Sequence, residues 1–462
     1  MLPTPYLPGA GSKFKTQKLK LPFVVTAEKL LYGGDALARR DDGKTVFIPF
    51  AVPGDKLLVR TTAEKKNYIR AEIIEILTRG DWRVNPMCSY FGRCGGCHWQ
   101  NVEYSMQVEA KRRILEELFN HCFPETRQLA ITMQPCSQAF GYRSRARVRR
   151  RVDPKLFVGF FRAGTRQIED LEYCPLFRPC LNNALSALRQ IPSRQYKTNR
   201  NDTEEEINIA CSEEENIWSI SKNGAKETLL RRKVGDFTYN VAAGTFFQAN
   251  DFMVDALVAH VMDCVCVSQN TDSVPPNAKD MGVRASRLRV PENMGIPPTF
   301  PSRLPYGQAK PGNPAFGSAL DLFSGVGLFS LPLAFQFNTV TAVEYSRKSH
   351  KLCLMNAAEA AVKNLHTICA DVAEWLNSQA APGFDCVVLD PPRAGAASEV
   401  MERVGRIASK TIIYVSCDPR ILARDLERLD MKQWRIVSIA GFDMFPQTYH
   451  FETVVHLQKW TR

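Results

Sequence analysis

Between residues 20 and 80 the apolar positions come in short alternating runs, each broken by turn-forming residues. "YGGDALARRDDGKTVFIPF" holds a Gly-Gly pair and an Asp-Gly pair ahead of an apolar run, and "VPGDKLLVR" follows at once. Period-two alternation between such turns predicts short hairpin-linked strands. With "YIRAEIIEIL" as its last strand, the segment fits a small β-barrel of the oligonucleotide-binding type, expected over residues 15–80. A generic barrel with solvated basic residues is the alternative. The period then changes, and "EYSMQVEAKRRILEELFN" at 103–120 has helical spacing. From 140 to 170 the chain alternates again. Arg143, Arg145, Arg147, Arg149 and Arg151 fall on one face of a strand, and Ser144, Ala146, Val148, Arg150 and Val152 on the other. Five like charges on one face repel unless an anion meets them, so contact with RNA is expected there, and a solvated amphipathic strand is the alternative.

The C-terminal part has a different rhythm. "SALDLFSGVGLFSLPLAF" is strand, glycine loop and helix; "TVTAVEYS" is a strand followed by the helix "RKSHKLCLMNAAEA". "FDCVVLDPPRAG" and "TIIYVSCDPR" are two more strands ending in loops, and "TVVHLQKW" closes the chain. Strand–helix alternation predicts a doubly wound α/β domain, with its ligand at the carboxyl ends of the strands. Ahead of it, residues 268–316 hold nine prolines and no periodicity, and are expected to be an insert. The organisation expected is a barrel at 15–80, a central β-rich domain at 81–240 and an α/β domain at 241–462.

Composition and charge narrow the function. The 462 residues are 45% hydrophobic and 23% charged, as in ordinary globular proteins. The first twenty residues lack an apolar export core, and no apolar run reaches the roughly 18–20 residues that span a bilayer. A cytoplasmic monomer is expected, whose fourteen cysteines are thiols, metal ligands or catalysts rather than disulfides. The net charge of +12 is unevenly spread: residues 317–462 carry 15 basic and 15 acidic side chains, whereas residues 142–166 carry nine basic and one acidic. This suggests chemistry at the C-terminal end and polyanion holding elsewhere.

Four stretches carry candidate chemistry. Asp321-Leu-Phe-Ser-Gly325-Val-Gly327 opens a helix after a strand, and Glu344 ends the next strand, where a carboxylate can accept ribose hydroxyls. That pattern admits NAD or S-adenosylmethionine, although Ser330 stands where a dinucleotide fingerprint has its third glycine. Asp390 precedes two prolines that fix an extended backbone. Cys417, at the end of "YVSC", is placed as an accessible nucleophile rather than a core thiol. Glu452 lies in "TYHFET" among Phe, Tyr, His and Thr, where partial desolvation would raise a carboxylate toward proton-transfer use, and an exposed strand-end glutamate is the alternative. Finally, "CSYFGRCGGCHWQ" packs Cys88, Cys94 and Cys97 into ten residues, a spacing that suits an iron–sulfur cluster or zinc.

The ordered set of "CSYFGRCGGCHWQ", "YRSRARVR", "FFQAN", "DLFSGVG", "VLDPPRAG", "VSCDP" and "TYHFET" resembles the RNA uracil-5-methyltransferase family from about residue 20 to 460. The branch it is most similar to is the iron–sulfur, TRAM-bearing 23S rRNA enzymes. The resemblance implies a class I S-adenosylmethionine-dependent methyltransferase domain, a TRAM barrel, and a [4Fe–4S] cluster on Cys88, Cys94, Cys97 and Cys174, with Cys180 a competitor for the fourth place. It implies Cys417 as the nucleophile adding to uracil carbon 6 and Glu452 as the base. It also implies cofactor contacts from Gln248, Phe323, Glu344, Asp371 and Asp390, and stacking of Phe246 on the target base. Leu328 stands in the cofactor loop where many relatives have Asn, so a contact to the methionine moiety is missing there or made by backbone. The partner implied is 23S rRNA, with tRNA as the alternative. An RNA cytosine-5-methyltransferase is disfavoured by Pro391-Pro392 where those enzymes carry Pro-Cys, and a non-catalytic iron–sulfur RNA-binding protein by the intact Cys417 and Glu452.

Overall fold

The structure is a computed structural model that describes residues 21–152, 155–191, 204–212, 214, 217–221, 228–269, 316–379 and 383–460. The alternation at the N-terminus closes a five-stranded barrel from Phe23–Leu30, Ala36–Arg39, Thr45–Ile48, Lys56–Glu64 and Tyr68–Thr78. The fifth strand lies between the third and fourth, and the fourth pairs back to the first. Every second side chain points inward, so Val46 and Ile48, Leu57 and Val59, and Ile69 and Ala71 fill the interior.

The predicted helix spans Tyr104–Cys122. It is a strut: Ala110 joins the barrel's core, while Leu115 and Phe119 join the core on one face of the C-terminal sheet. Beyond it, an antiparallel sheet runs Ile217–Ser221, Glu204–Ser212, Arg145–Val152, Leu156–Phe161, Ile168–Asp170. The helix Pro179–Gln190 covers it, with Leu181, Leu185 and Leu188 packed on Val148, Val158, Ile207 and Ile209.

The arginine strand corrects an expectation. Its two faces divide as the alternation predicts, with Ala146, Val148 and Arg150 buried. Part of the repulsion, however, is relieved from within the protein. The neighbouring strand supplies glutamates in register, so Arg149 pairs with Glu204 and Glu206, and Arg147 with Glu206 at 3.2 Å. Arg145 is turned onto backbone, donating to Phe247 O and Ala242 O at 3.1 Å each. Two of the five arginines on this face, Arg147 and Arg149, are thus paired with carboxylates of the protein itself.

The C-terminal domain is built on an eight-stranded sheet, in the order Leu365–Cys369, Phe337–Glu344, Phe316–Leu322, Phe384–Leu389, Ala408–Ser416, Glu452–Lys459, Trp434–Phe442, Thr132–Gln134. The first five strands are parallel, and Glu452–Lys459 runs antiparallel to both its neighbours. Successive residues serve opposite faces: Ile413 and Val415 enter one core, Ile412 and Tyr414 the other. The last strand, Thr132–Gln134, comes from upstream of the central sheet and stitches the two parts together. The expected insert lies almost wholly outside the described residues, since the helix Val254–Gln269 precedes it and Phe316 begins the next strand. Among the described residues, no helix is long and apolar enough to cross a membrane.

Candidate active site

Strand register assembles the site. Leu322 pairs with Val343 and Leu389, and Leu389 with Tyr414, so Phe323, Glu344, Asp390 and Cys417 emerge along one edge of the sheet. Ser416 faces Thr453 in the antiparallel pair, which sets Cys417 beside Glu452. Residues 35 positions apart thus meet through one pairing register.

The glycine loop is shaped for a close ligand. Phe323 takes a φ of 62°, a strained value for an aromatic residue, and Gly325 and Gly327 take 57° and 92°. A Cβ at Gly325 would meet open space, whereas one at Gly327 would press on Cys353 Sγ and Leu331 Cδ1 at 2.9 Å. Glu344 accepts from Gly325 N at 2.9 Å and Ser346 N at 2.7 Å, bracing the loop. Asp321 beneath it is buried, with Oδ2 on Ser330 and Oδ1 without a hydrogen-bond partner among the described residues. Burial raises Asp321 to about 7, against the opposing hydrogen bond from Ser330. Asp371 caps the helix Val372–Ser378 by accepting from Ala373 N and Glu374 N. The Leu328 side chain is in the hydrophobic core, and its carbonyl accepts from Tyr239 Oη at 3.0 Å, so that side chain is turned away from the cofactor edge. Gln248 is buried, while Phe246 two residues earlier is 69% exposed.

At the reactive end, burial pushes the Cys417 thiol up to about 12, helped by the charges of Glu452 and Asp390 and opposed by Arg393. Burial raises Glu452 well above the usual carboxylate range, with Asp390 adding to it, and Oε2 of Glu452 has no hydrogen-bond partner among the described residues. Asp390 itself is raised to about 7 by burial and then by Asp321. A buried carboxyl oxygen beside a thiol, with no hydrogen-bond partner among the described residues, leaves a polar position open to a bound group.

Sequence reasoning missed the surrounding shell. Tyr32 of the barrel donates to the Cys417 carbonyl at 3.4 Å, and the Arg420 guanidinium lies 4.4 Å from the centre of its ring. Arg393, just after the two prolines, contacts His450 at 3.2 Å. Burial, then Arg393, lowers His98 to about 4 and His450 to about 3, so both imidazoles are neutral. Nothing in the spacing of Tyr32, His98 and Arg393 signals that they meet, because they come from three distant segments of the chain.

The cysteines form a second centre. Cys88, Cys94, Cys97 and Cys174 line one small cavity, walled by Phe91, Phe160, Leu171, Leu176 and Phe177. Gln100 bridges it, accepting from Cys88 N at 3.1 Å and donating to Cys97 Sγ at 3.2 Å, while Gly96 N donates to Cys94 Sγ at 3.4 Å. Burial raises Cys94, Cys97 and Cys174, and the charges of neighbouring thiols add to it. Arg143 also lines the cavity, and its charge opposes the rise at Cys174. Among the described residues, no three His, Cys, Asp or Glu side chains are grouped closely enough to hold a single ion, so the thiols face one cavity rather than one point. Cys180 is elsewhere, in the core of the central sheet, with its thiol on Ile217 O at 3.3 Å.

Comparison with known proteins agrees with this geometry. The family described as tRNA (Uracil-5-)-methyltransferase matches residues 313–460, and the TRAM domain matches 24–74. An uncharacterized RNA methyltransferase of Thermotoga maritima is 30% identical, over 95% of this chain and 99% of its own length. The 23S rRNA (uracil(1939)-C(5))-methyltransferase RlmD of Chromohalobacter salexigens is also 30% identical, over 95% and 89%. The fold is shared with the tRNA (uracil-54, C5)-methyltransferase of Pyrococcus abyssi, solved with S-adenosyl-L-homocysteine, at a TM-score of 0.64 and 20% identity over 94% of this chain and 99% of that one. With its glycine loop, strand-end cysteine and barrel in the matched positions, this chain belongs to the RNA uracil-5-methyltransferase family and is an S-adenosylmethionine-dependent enzyme of that class.

Proposed function

We propose that the protein methylates carbon 5 of a uridine in 23S rRNA through a covalent adduct between Cys417 and carbon 6 of the base. The observation that carries the mechanism is the register that sets Cys417 beside Glu452, whose Oε2 is unpartnered. The rRNA target follows the name of the 30%-identical relative that aligns over 95% of this chain.

Carbon 5 of uracil is a weak nucleophile. Attack of the Cys417 sulfur on carbon 6 forms a C–S bond and moves the electron pair to an enolate with density at carbon 5. Bound S-adenosylmethionine supplies an electrophilic methyl group. Carbon 5 takes that methyl as the sulfonium S–CH3 bond breaks and S-adenosylhomocysteine leaves, the Glu452 carboxylate removes the carbon-5 proton, and the returning electron pair expels the Cys417 thiolate as 5-methyluridine forms. Gly325 gives the cofactor its close approach, and Glu344, Asp390, Gln248, Phe323 and Asp371 are assigned to its edges, with Leu328 contributing backbone alone. Phe246, exposed beside Gln248, offers an aromatic face to a base taken out of its stack. Arg393 opposes the burial that keeps Cys417 protonated.

Cys88, Cys94, Cys97 and Cys174 are assigned to a [4Fe–4S] cluster, which the shared apolar cavity supports. Cys88, Cys94, Cys97 and Cys174 would hold such a cluster so as to tie residues 88–97 to residue 174, and methyl transfer would take no electron from it. Anaerobically purified protein should be coloured and contain iron, and stoichiometric zinc in its place would remove the assignment.

The mechanism is tested with labelled cofactor and substrate RNA on a denaturing gel. Cys417→Ala should form no adduct, whereas Glu452→Gln should accumulate an adduct that already carries the methyl. Full activity in Cys417→Ala, or an adduct at another cysteine, would overturn it. Loss of 5-methyluridine from 23S rRNA in cells lacking the gene tests the target, and its loss from tRNA instead would favour the other substrate.

A further inference from the structure

The loop before Glu452 is held by the upstream half of the chain, one carbonyl at a time. Met444 O accepts from Asn250 Nδ2 at 3.1 Å, and Phe445 O from Lys111 Nζ at 3.2 Å. Pro446 O accepts from Tyr142 Oη at 3.0 Å. Gln447 O accepts two amides of the cysteine loop, His98 N at 3.0 Å and Trp99 N at 3.1 Å. Four consecutive carbonyls are thus satisfied by four different segments. The side chain of Gln447 adds a reciprocal pair with Gln107: Gln447 N donates to Gln107 Oε1 at 2.9 Å, and Gln107 Nε2 to Gln447 Oε1 at 3.0 Å. Gln447 itself takes a φ of 69°, a left-handed conformation that a glutamine adopts only when its surroundings impose it. Lys111 also pairs with Asp443 at the loop's start, with both side chains fully buried.

Within the loop itself Phe445 O also accepts from Thr448 N at 3.3 Å and Thr448 Oγ1 at 2.8 Å, so the carbonyls of Met444, Pro446 and Gln447 are the ones held from the upstream half. Five residues after Gln447 comes Glu452, the base proposed above, on which this inference rests. We propose that Gln107, Lys111, Tyr142, Asn250 and the backbone of the cysteine loop are positioning residues for Glu452. Through them the cysteine-rich segment sets the rate of the carbon-5 proton removal, separately from cofactor binding and sulfur addition. The cysteine cavity and the active site are then joined by a direct backbone link, Cys97 lying one residue before the His98 amide that holds Gln447.

The test uses the full-length protein and two variants, Tyr142→Phe and Cys97→Ser. Tyr142→Phe deletes one buried hydroxyl and leaves the ring, and it carries the test alone if Cys97→Ser does not fold. Hydrogen exchange over residues 444–452 is measured together with the fraction of the covalent RNA adduct that already bears the methyl group. The expected result is at least tenfold faster exchange in that segment and a several-fold larger methylated fraction. Affinity for S-adenosylmethionine should change less than twofold. Unchanged exchange in the folded variants overturns the clamp, as does faster exchange with an unchanged methylated fraction. Glu452→Gln is the control that separates the two readings. If it accumulates no methylated adduct, the base assignment fails, and exchange alone then decides whether the upstream half holds the loop.

Discussion

Cys417, Glu452 and Asp390 make the reactive end of the site a problem of shared negative charge. Burial holds the Cys417 thiol at about 12 and keeps Glu452 protonated above the ordinary carboxylate range, and Asp390 pushes both further. Raising the pH therefore generates the two reactive forms, the thiolate and the carboxylate, and adduct formation should climb from acidic through alkaline pH. Asp390→Asn removes a negative neighbour from both groups, so the rising limb should move to lower pH. Arg393→Ala removes the cation that favours the thiolate, so the limb should move to higher pH. At a fixed pH on that limb the two variants should differ from wild type by roughly tenfold in opposite directions. Trapping with RNA containing 5-fluorouridine measures this without the later steps, and shifts of the same sign in both variants would contradict the charge argument.

At the scale of elements, the arginine strand shows how one alternating pattern serves several ends. Arg147 is 66% exposed and bonded to Glu206, so Arg147→Gln should cost no more than about 1 kcal/mol of stability. Arg145 binds the carbonyls of Ala242, Ala243, Thr245 and Phe247, which bracket the segment presenting Phe246 and Gln248. Arg145→Gln should cost about 1–3 kcal/mol and weaken cofactor binding, because buried acceptors lose a charged donor. The helix Tyr104–Cys122 carries a sharper case in Lys111, fully buried against Asp443. Lys111→Met leaves that carboxylate buried without its cation and should cost about 3–5 kcal/mol, with most of the loss recovered in Lys111→Met/Asp443→Leu. Denaturant melts of the four proteins settle both comparisons.

For the whole molecule, the distribution of charge separates holding from chemistry. The chain carries +12, yet residues 317–462 balance at 15 basic and 15 acidic side chains. RNA affinity should therefore fall steeply as salt rises, because cations on the upstream half displace counterions from phosphates. Affinity for S-adenosylmethionine, bound at the neutral end, should barely respond. Titrations of both ligands at low and physiological salt make the comparison, and equal salt slopes would place the RNA contacts on the neutral domain instead. Pairing of Arg147 and Arg149 with Glu204 and Glu206 shifts the expected footprint away from that strand and toward the barrel and its neighbours.

The sequence by itself determined whatever depends on local period and local chemistry. Alternation set the barrel strands, helical spacing set Tyr104–Cys122, and the glycine loop with its following acidic residue marked the cofactor edge of a doubly wound sheet. That Cys417 follows a strand and Glu452 opens one was legible from the apolar runs beside them. Tertiary structure alone decided which distant groups meet. The glutamates that pair with Arg147 and Arg149 lie more than fifty residues downstream, and a charge run carries no information about a partner strand's register. The Leu328 side chain, in the turn ahead of the helix Ser330–Gln336, packs into the core, which the loop motif does not specify. Tyr32, His98, Arg393 and the carbonyls of residues 444–447 are brought together by domain packing, where geometry in three dimensions and not periodicity along the chain fixes every contact.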